Sequence, residues 1–162
     1  MSEEIKIRIK NYEEIEDDLR KLGAVFEREI QVEDTYFDQP EDSVLKISKI
    51  HESKECFIVH LSANNGKFSI VSKEKIDERD YEQRIMQFDE KCGIKCILKK
   101  RIRFFKFPDS RINNININII EDVGEFLIVE GEGITADFIT GNLKMKTPEY
   151  VTVSFDKLKA RL

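Results

Sequence analysis

At 162 residues, with 40% hydrophobic and 36% charged residues, the chain is long enough for one domain with a genuine core and a heavily charged surface or interior. A formal net charge of −5, from 27 basic and 32 acidic residues, does not favour nucleic acid as the primary partner, because the phosphate backbone demands a net basic face. A local basic channel inside an acidic protein is compatible with that balance.

No apolar run has the length of a membrane span, and the N-terminus carries no signal-peptide pattern. The three cysteines (Cys56, Cys92, Cys96) make no disulfide framework. Free thiols point to a reducing, cytoplasmic compartment. Cys92 and Cys96 lack a second Cys pair, so their metal signal is weak.

In chain order, "EEIKIRIK" comes first. Ile5, Ile7 and Ile9 share one face of an extended chain, and Glu4, Lys6, Arg8 and Lys10 share the other. "NYEEIEDDLRKLGA" follows with Tyr12, Ile15, Leu19 and Leu22 at helical spacing, Asn11 as N-cap and Gly23 as the stop. "VFEREIQVEDTYFD", "SVLKISKI", "ECFIVHLSA" and "KFSIVSKEKID" read as strands, with Asn64-Asn65-Gly66 as a hairpin turn. "ERDYEQRIMQFDEKCG" is a second helix ending at Gly93. "IKCILKKRIRFFKF", "INNININIIED" and "EFLIVEGEG" are further strands, "ITADFITGNLKMK" a short helix, and "VSFDKLKARL" closes the sequence. Many strands interrupted by two or three helices predict an α+β fold with an antiparallel sheet or barrel.

Several strands repeat the charged alternation: Lys46 and Ser48 in "LKISKI", Lys99, Arg101 and Arg103 in "ILKKRIRFF", Glu130 and Glu132 beside Ile128 in "FLIVEGE". Two arrangements satisfy this pattern. Either the charges are solvated around an apolar interior, or helices cover an apolar outside and the charges converge within. Alternation alone leaves both open.

Gln31-Val32-Glu33-Asp34-Thr35-Tyr36-Phe37-Asp38-Gln39-Pro40, just after Leu22-Gly23-Ala24, resembles the Q-x-D-x-Y-F-D-x-P stretch of the CYTH family. That family is named for class IV adenylate cyclases and thiamine triphosphatases and belongs with the triphosphate tunnel metalloenzymes. "SVLKISK" resembles its A-L-R-I-R strand, "LKKRIRFF" its K-x-R-x-x-Y strand, "VGEFLIVE" its L-G-x-F-x-E-x-E strand, and "SFDKL" its S-Y-x-x-L ending. The resemblance spans nearly the whole chain in order. It implies an eight-stranded antiparallel β-barrel, open as a tunnel, with flanking helices and inward charges.

On that resemblance, Glu4, Glu130 and Glu132 are expected to hold Mg2+ or Mn2+. Arg8, Lys46, Lys73, Lys99, Arg101 and Arg103 are expected to bind phosphate, and Lys6 to assist an attacking water. The partner implied is a triphosphate or other phosphorylated small molecule, with a homodimer supportable by an exposed edge or helix. The activity implied is a metal-dependent triphosphatase rather than an adenylate cyclase. The chain departs from the pattern on its polar face. Ser2 stands at the first glutamate of E-x-E-x-K, Ile128 and Asn118 stand at acidic positions, and Lys46 and Ser48 stand at arginines. These losses keep a second reading open, a catalytically degenerate barrel acting as a polyanion-binding or protein-interaction module.

Overall fold

The computed structural model describes residues 3–64, 67–133, 141, 143 and 148–162. Eight strands run in chain order: β1 (Glu3–Ile9), β2 (Val25–Phe37), β3 (Ser43–Ile50), β4 (Cys56–Asn64), β5 (Lys67–Ile76), β6 (Ile94–Lys106), β7 (Ile112–Ile120) and β8 (Gly124–Gly131). They pair antiparallel in the order β5-β4-β3-β2-β6-β7-β8-β1, and β1 returns to β5 through Glu4 and Phe68, so the sheet closes in a ring. A short ninth strand, β9 (Glu149–Val151), pairs with Lys6 to Arg8. One edge of β1 therefore lies along β8, and its other edge is divided between β5 and β9.

Among the described residues three helices flank the ring: α1 (Tyr12–Lys21), α2 (Tyr81–Cys92) and α3 (Phe155–Ala160). Helix α1 starts where expected, because the Asn11 side chain accepts from the Glu13 N–H at 3.0 Å. It stops at Gly23, whose φ of +95° is costly for any residue with a Cβ.

Burial settles which face is inside. Ile5, Ile7 and Ile9 join Phe105, Ile117, Leu127 and Val129 in an apolar cluster under Leu19 of α1. Phe37, Ile47, Ile58 and Ile76 form another, with Tyr81, Ile85 and Phe88 of α2 packed on it. Both clusters lie on the outside of the ring. A third lies within it, where Phe155 and Leu158 of α3 pack on Tyr36, Leu98, Phe126 and Val151 and plug one end. The helices thus take the apolar outer face, and alternate residues of β1 are left to line the interior. No helix among the described residues is long and apolar enough to cross a membrane. The Asn65-Gly66 pair of the expected hairpin, and most of the helix expected over 134–146, lie outside the described residues.

Candidate functional site

The ring encloses a cavity of about 790 Å³, open at one end and floored by α3. Its floor is built by inward residues of four strands: Lys6 on β1, Asp34 and Tyr36 on β2, Lys46 and Ser48 on β3, and Lys100 on β6. Asp34 is the hub. It accepts from Lys100 Nζ at 2.5 Å, Lys46 Nζ at 3.0 Å and Ser48 Oγ at 2.5 Å. Lys100 Nζ also donates to Tyr36 Oη at 2.9 Å. Strand order explains the convergence, since β3 and β6 flank β2 and their registers bring Ser48 and Leu98 opposite Asp34.

Lys6 enters from the opposite wall. Its Nζ sits 4.0 Å from the Phe68 ring centroid and 4.1 Å from that of Phe155, and 3.7 Å from Glu4 Oε1. Two aromatic faces hold a buried ammonium through their quadrupoles, and one carboxylate partly offsets its charge.

The electrostatics follow from burial and crowding. Burial opposes ionisation of Asp34, yet the Lys100 and Lys46 ammonium groups outweigh it and hold the carboxyl well below its usual range. Burial pulls Lys100 down to about 7; Asp34 opposes that shift and Lys46 adds to it. Burial likewise pulls Lys6 down to about 8, with Glu4 opposing and Lys46 reinforcing. For Lys46 burial also acts downward, but its bond to Asp34 prevails and the group is raised. A second anion at the floor would therefore meet cations that are crowded and incompletely satisfied. Ser154 Oγ, on the cavity lining, is buried with no hydrogen-bond partner among the described residues.

Glu4 and Glu130 face each other across β1 and β8, with Asn114 of β7 opposite Glu130. All three line the cavity. Burial first, then the neighbouring Glu4, raises the Glu130 carboxyl above its usual value. A divalent cation relieves such crowding, and an oxygen-only donor set suits Mg2+ or Mn2+, which bind through one or two carboxylates plus water and phosphate. The pair therefore fits a metal held jointly with a ligand. Among the described residues no three His, Cys, Asp or Glu side chains converge as a self-sufficient metal cage.

The other expected residues are dispersed. Lys73 lines the cavity near its mouth, with Nζ 4.6 Å from the Phe57 ring. Arg8 lies beyond the floor: its guanidinium covers Phe126, donates to the Val123 carbonyl at 3.4 Å and pairs with Glu149 at 3.7 Å. Glycine is favoured at position 124 by its φ of +142°, which strains any residue with a Cβ. Glu132 is exposed past the end of β8, its backbone N–H bonded to the Arg111 carbonyl.

Lys99, Arg101 and Arg103 lie on the outer face of β6. Arg103 pairs with Glu16 of α1 and with Glu29 at 3.1 Å, and Arg101 pairs with Glu29 at 3.4 Å. The interior of β6 belongs to the even residues Lys100, Ile102 and Phe104. Lys100 was not among the residues expected at the site, because the K-x-R resemblance settles on Lys99 and Arg101, one position out of phase. The signal for it was Phe105, an aromatic on the odd face that needs the cover α1 provides. Asp34 stood within the quoted motif without a role. The interior is also less basic than expected, since Glu4, Asp34, Glu52, Glu55 and Glu130 line it and match its basic side chains in number. The positive charge is concentrated at the floor.

No protein-family model matches the sequence, and no curated protein matches it. Solved structures do match its fold. A protein from Pyrococcus horikoshii OT3 has a TM-score of 0.81 at 22% identity, over 98% of this chain and 99% of that one. A candidate adenylyl cyclase from Hippeastrum, described as having a dominant triphosphatase activity, has a TM-score of 0.64 at 16% identity, over 99% and 96%. A candidate adenylate cyclase from Vibrio parahaemolyticus gives 0.62 at 15% identity, over 88% and 82%. At these identities the likeness is one of fold. Together with the closed ring, it shows a shared fold, an antiparallel barrel flanked by helices.

Proposed function

We propose that the chain binds the triphosphate group of a small molecule in the barrel cavity and hydrolyses it with a divalent metal. The observation that carries this reading is the convergence of Lys6, Lys46 and Lys100 on one floor with Asp34 as the carboxylate among them. Ammonium groups in a partly closed, low-dielectric site bind phosphate oxygens strongly. The unpartnered Ser154 hydroxyl adds a donor on the same floor. The fold shared with the Hippeastrum protein is consistent with it.

Glu4 and Glu130 would hold Mg2+ or Mn2+, which when bound offsets phosphate charge and polarises the terminal phosphoryl oxygen. Lys46 and Lys100 orient the phosphate chain from the β2 side. Lys6, held down to about 8, is neutral in a fraction of molecules near neutral pH and in that form accepts a proton from water. Attack of that water on the terminal phosphorus breaks the bridging P–O bond and releases orthophosphate.

Titration calorimetry with tripolyphosphate, with and without Mn2+, tests the binding, and orthophosphate release from tripolyphosphate, ATP and thiamine triphosphate tests the chemistry. Binding by the wild type that Lys100→Met weakens about tenfold or more is the expected result. An absence of binding under both conditions would overturn the reading.

A degenerate, purely binding barrel is favoured by one observation: Ile128 sits directly opposite Lys6 on β8, where a carboxylate would be expected. Binding without orthophosphate release would select it.

A further inference from the structure

The cavity is two-sided above its floor. On the wall made by β2, β3 and β6, Ile30 pairs with Ile102, Val32 with Ile50, and Phe104 stands next to Ile102 along β6. These five side chains form an apolar surface that rises from the lysine floor to the mouth, where the Arg28 guanidinium lies 4.9 Å from the Phe104 ring centroid. Except for Val32, each keeps some solvent exposure in the absence of a ligand. Across the cavity β7 presents Asn114, Asn116 and Asn118, with Glu4, Lys73 and Glu130 on other strands, and two of the asparagines are committed to each other, Asn118 Nδ2 donating to Asn116 Oδ1 at 2.5 Å.

An ordinary triphosphate-binding tunnel has no use for such a wall. A polyphosphate chain laid against it would lose hydration with no partner in return, and a nucleobase or sugar would bury donors and acceptors against aliphatic carbon. A hydrocarbon gains from the same contact, at about 25 cal/mol per Å² removed from water. The cavity volume lies in the range, about 300–1,000 Å³, that encloses most of a small ligand. The wall also has the right placement, beginning directly above Lys100, whose neighbour across the strand pair is Val32.

On the reading that the lysine floor holds phosphate, we infer that the ligand is an amphiphile: an alkyl or prenyl phosphoanhydride whose charged head meets Lys6, Lys46 and Lys100 and whose hydrocarbon body lies on Ile30, Val32, Ile50, Ile102 and Phe104. The rim suits such a ligand. Glu52 and Glu55 line the mouth, Glu55 paired with Lys75 at 3.1 Å and Arg28 beside them, so the concentrated positive charge that draws the head lies at the floor and not at the mouth.

Calorimetric titration of the wild type with inorganic diphosphate, geranyl diphosphate and ADP tests the inference. Geranyl diphosphate is expected to bind at least about tenfold more tightly than inorganic diphosphate, and more tightly than ADP. Ile102→Ser and, independently, Ile50→Ser are expected to remove most of that advantage while inorganic diphosphate binds as before. Equal binding of geranyl and inorganic diphosphate, or tighter binding of ADP, would overturn the amphiphile and leave the phosphate floor standing. Failure of all three together with tripolyphosphate would instead remove the phosphate reading on which it rests.

Discussion

Asp34 and Lys100 meet at 2.5 Å on the cavity floor, both almost wholly withdrawn from solvent, and the same carboxylate oxygen also accepts from Lys46. One acidic side chain on β2 thereby ties together the two strands that flank it. Removing it leaves two buried cations facing each other.

Asp34→Ala is therefore expected to destabilise the fold by about 3–5 kcal/mol, the usual consequence of breaking a buried pair from one side. Urea unfolding of the variant and of Asp34→Ala/Lys100→Met measures this. The double variant should recover part of the loss, because it no longer buries the Lys100 charge. A cost below about 1 kcal/mol for the single variant would show that solvent reaches the pair.

The two faces of β6 give a sharper test of where the ligand sits. Lys100→Met should weaken tripolyphosphate binding about tenfold or more, the scale of one charge-assisted hydrogen bond. Lys99→Met and Arg101→Met, one residue to either side and on the outer face, should leave it unchanged at moderate salt. Calorimetry on the three variants decides it, and an effect confined to the outer pair would move the anion off the cavity.

The carboxylate pair predicts a metal effect that needs no turnover. Glu130→Gln removes one charge from Glu4 and Glu130, so Mn2+ affinity in the presence of tripolyphosphate should fall about tenfold or more. Electron paramagnetic resonance of free Mn2+ reads it directly. Glu132→Gln, exposed beyond β8, serves as the control and should change nothing.

Binding should also take up protons. Lys100, near 7, is largely neutral at pH 8, and a phosphate anion beside it stabilises its charged form, whereas Lys6, the proposed base, is set apart on the opposite wall. Its value rises on binding, so affinity is greatest below about pH 7 and falls as pH climbs above it. Calorimetry at pH 8 in two buffers of different ionisation enthalpy should report net proton uptake. Net release would contradict the placement of the anion against this lysine.

The fold was legible because its signals are local and repeated. Asn11, Gly23 and the spacing of Ile15, Leu19 and Leu22 specify α1, and the isoleucine alternation specifies β1. Alternation, however, fixes only that two faces differ. Which face is inside depends on what covers the other, and β1 and β6 answer oppositely. On β1 the apolar face is outside beneath α1 and Lys6 points in. On β6 the charged row of Arg101 and Arg103 is outside because Glu16 and Glu29 stand there to receive it. Those acidic partners come from a helix and a strand more than seventy residues upstream, so no pattern within β6 could reveal them. Asp34, Lys46 and Lys100 were separated in the same way, and only the β3-β2-β6 pairing unites them.

The division of one edge of β1 between β5 and β9 bears on how the protein is made. The stretch carrying Lys6 leaves the ribosome long before its neighbour Val151 and the floor residue Phe155. Until that segment emerges, β1 lacks part of its edge and the ring has no floor, so Lys6 has only one of its two aromatic faces. The anion site is thus completed only after all eight strands of the ring have been made. A chain halted before position 149 could assemble most of the wall and still offer no enclosed place for a ligand.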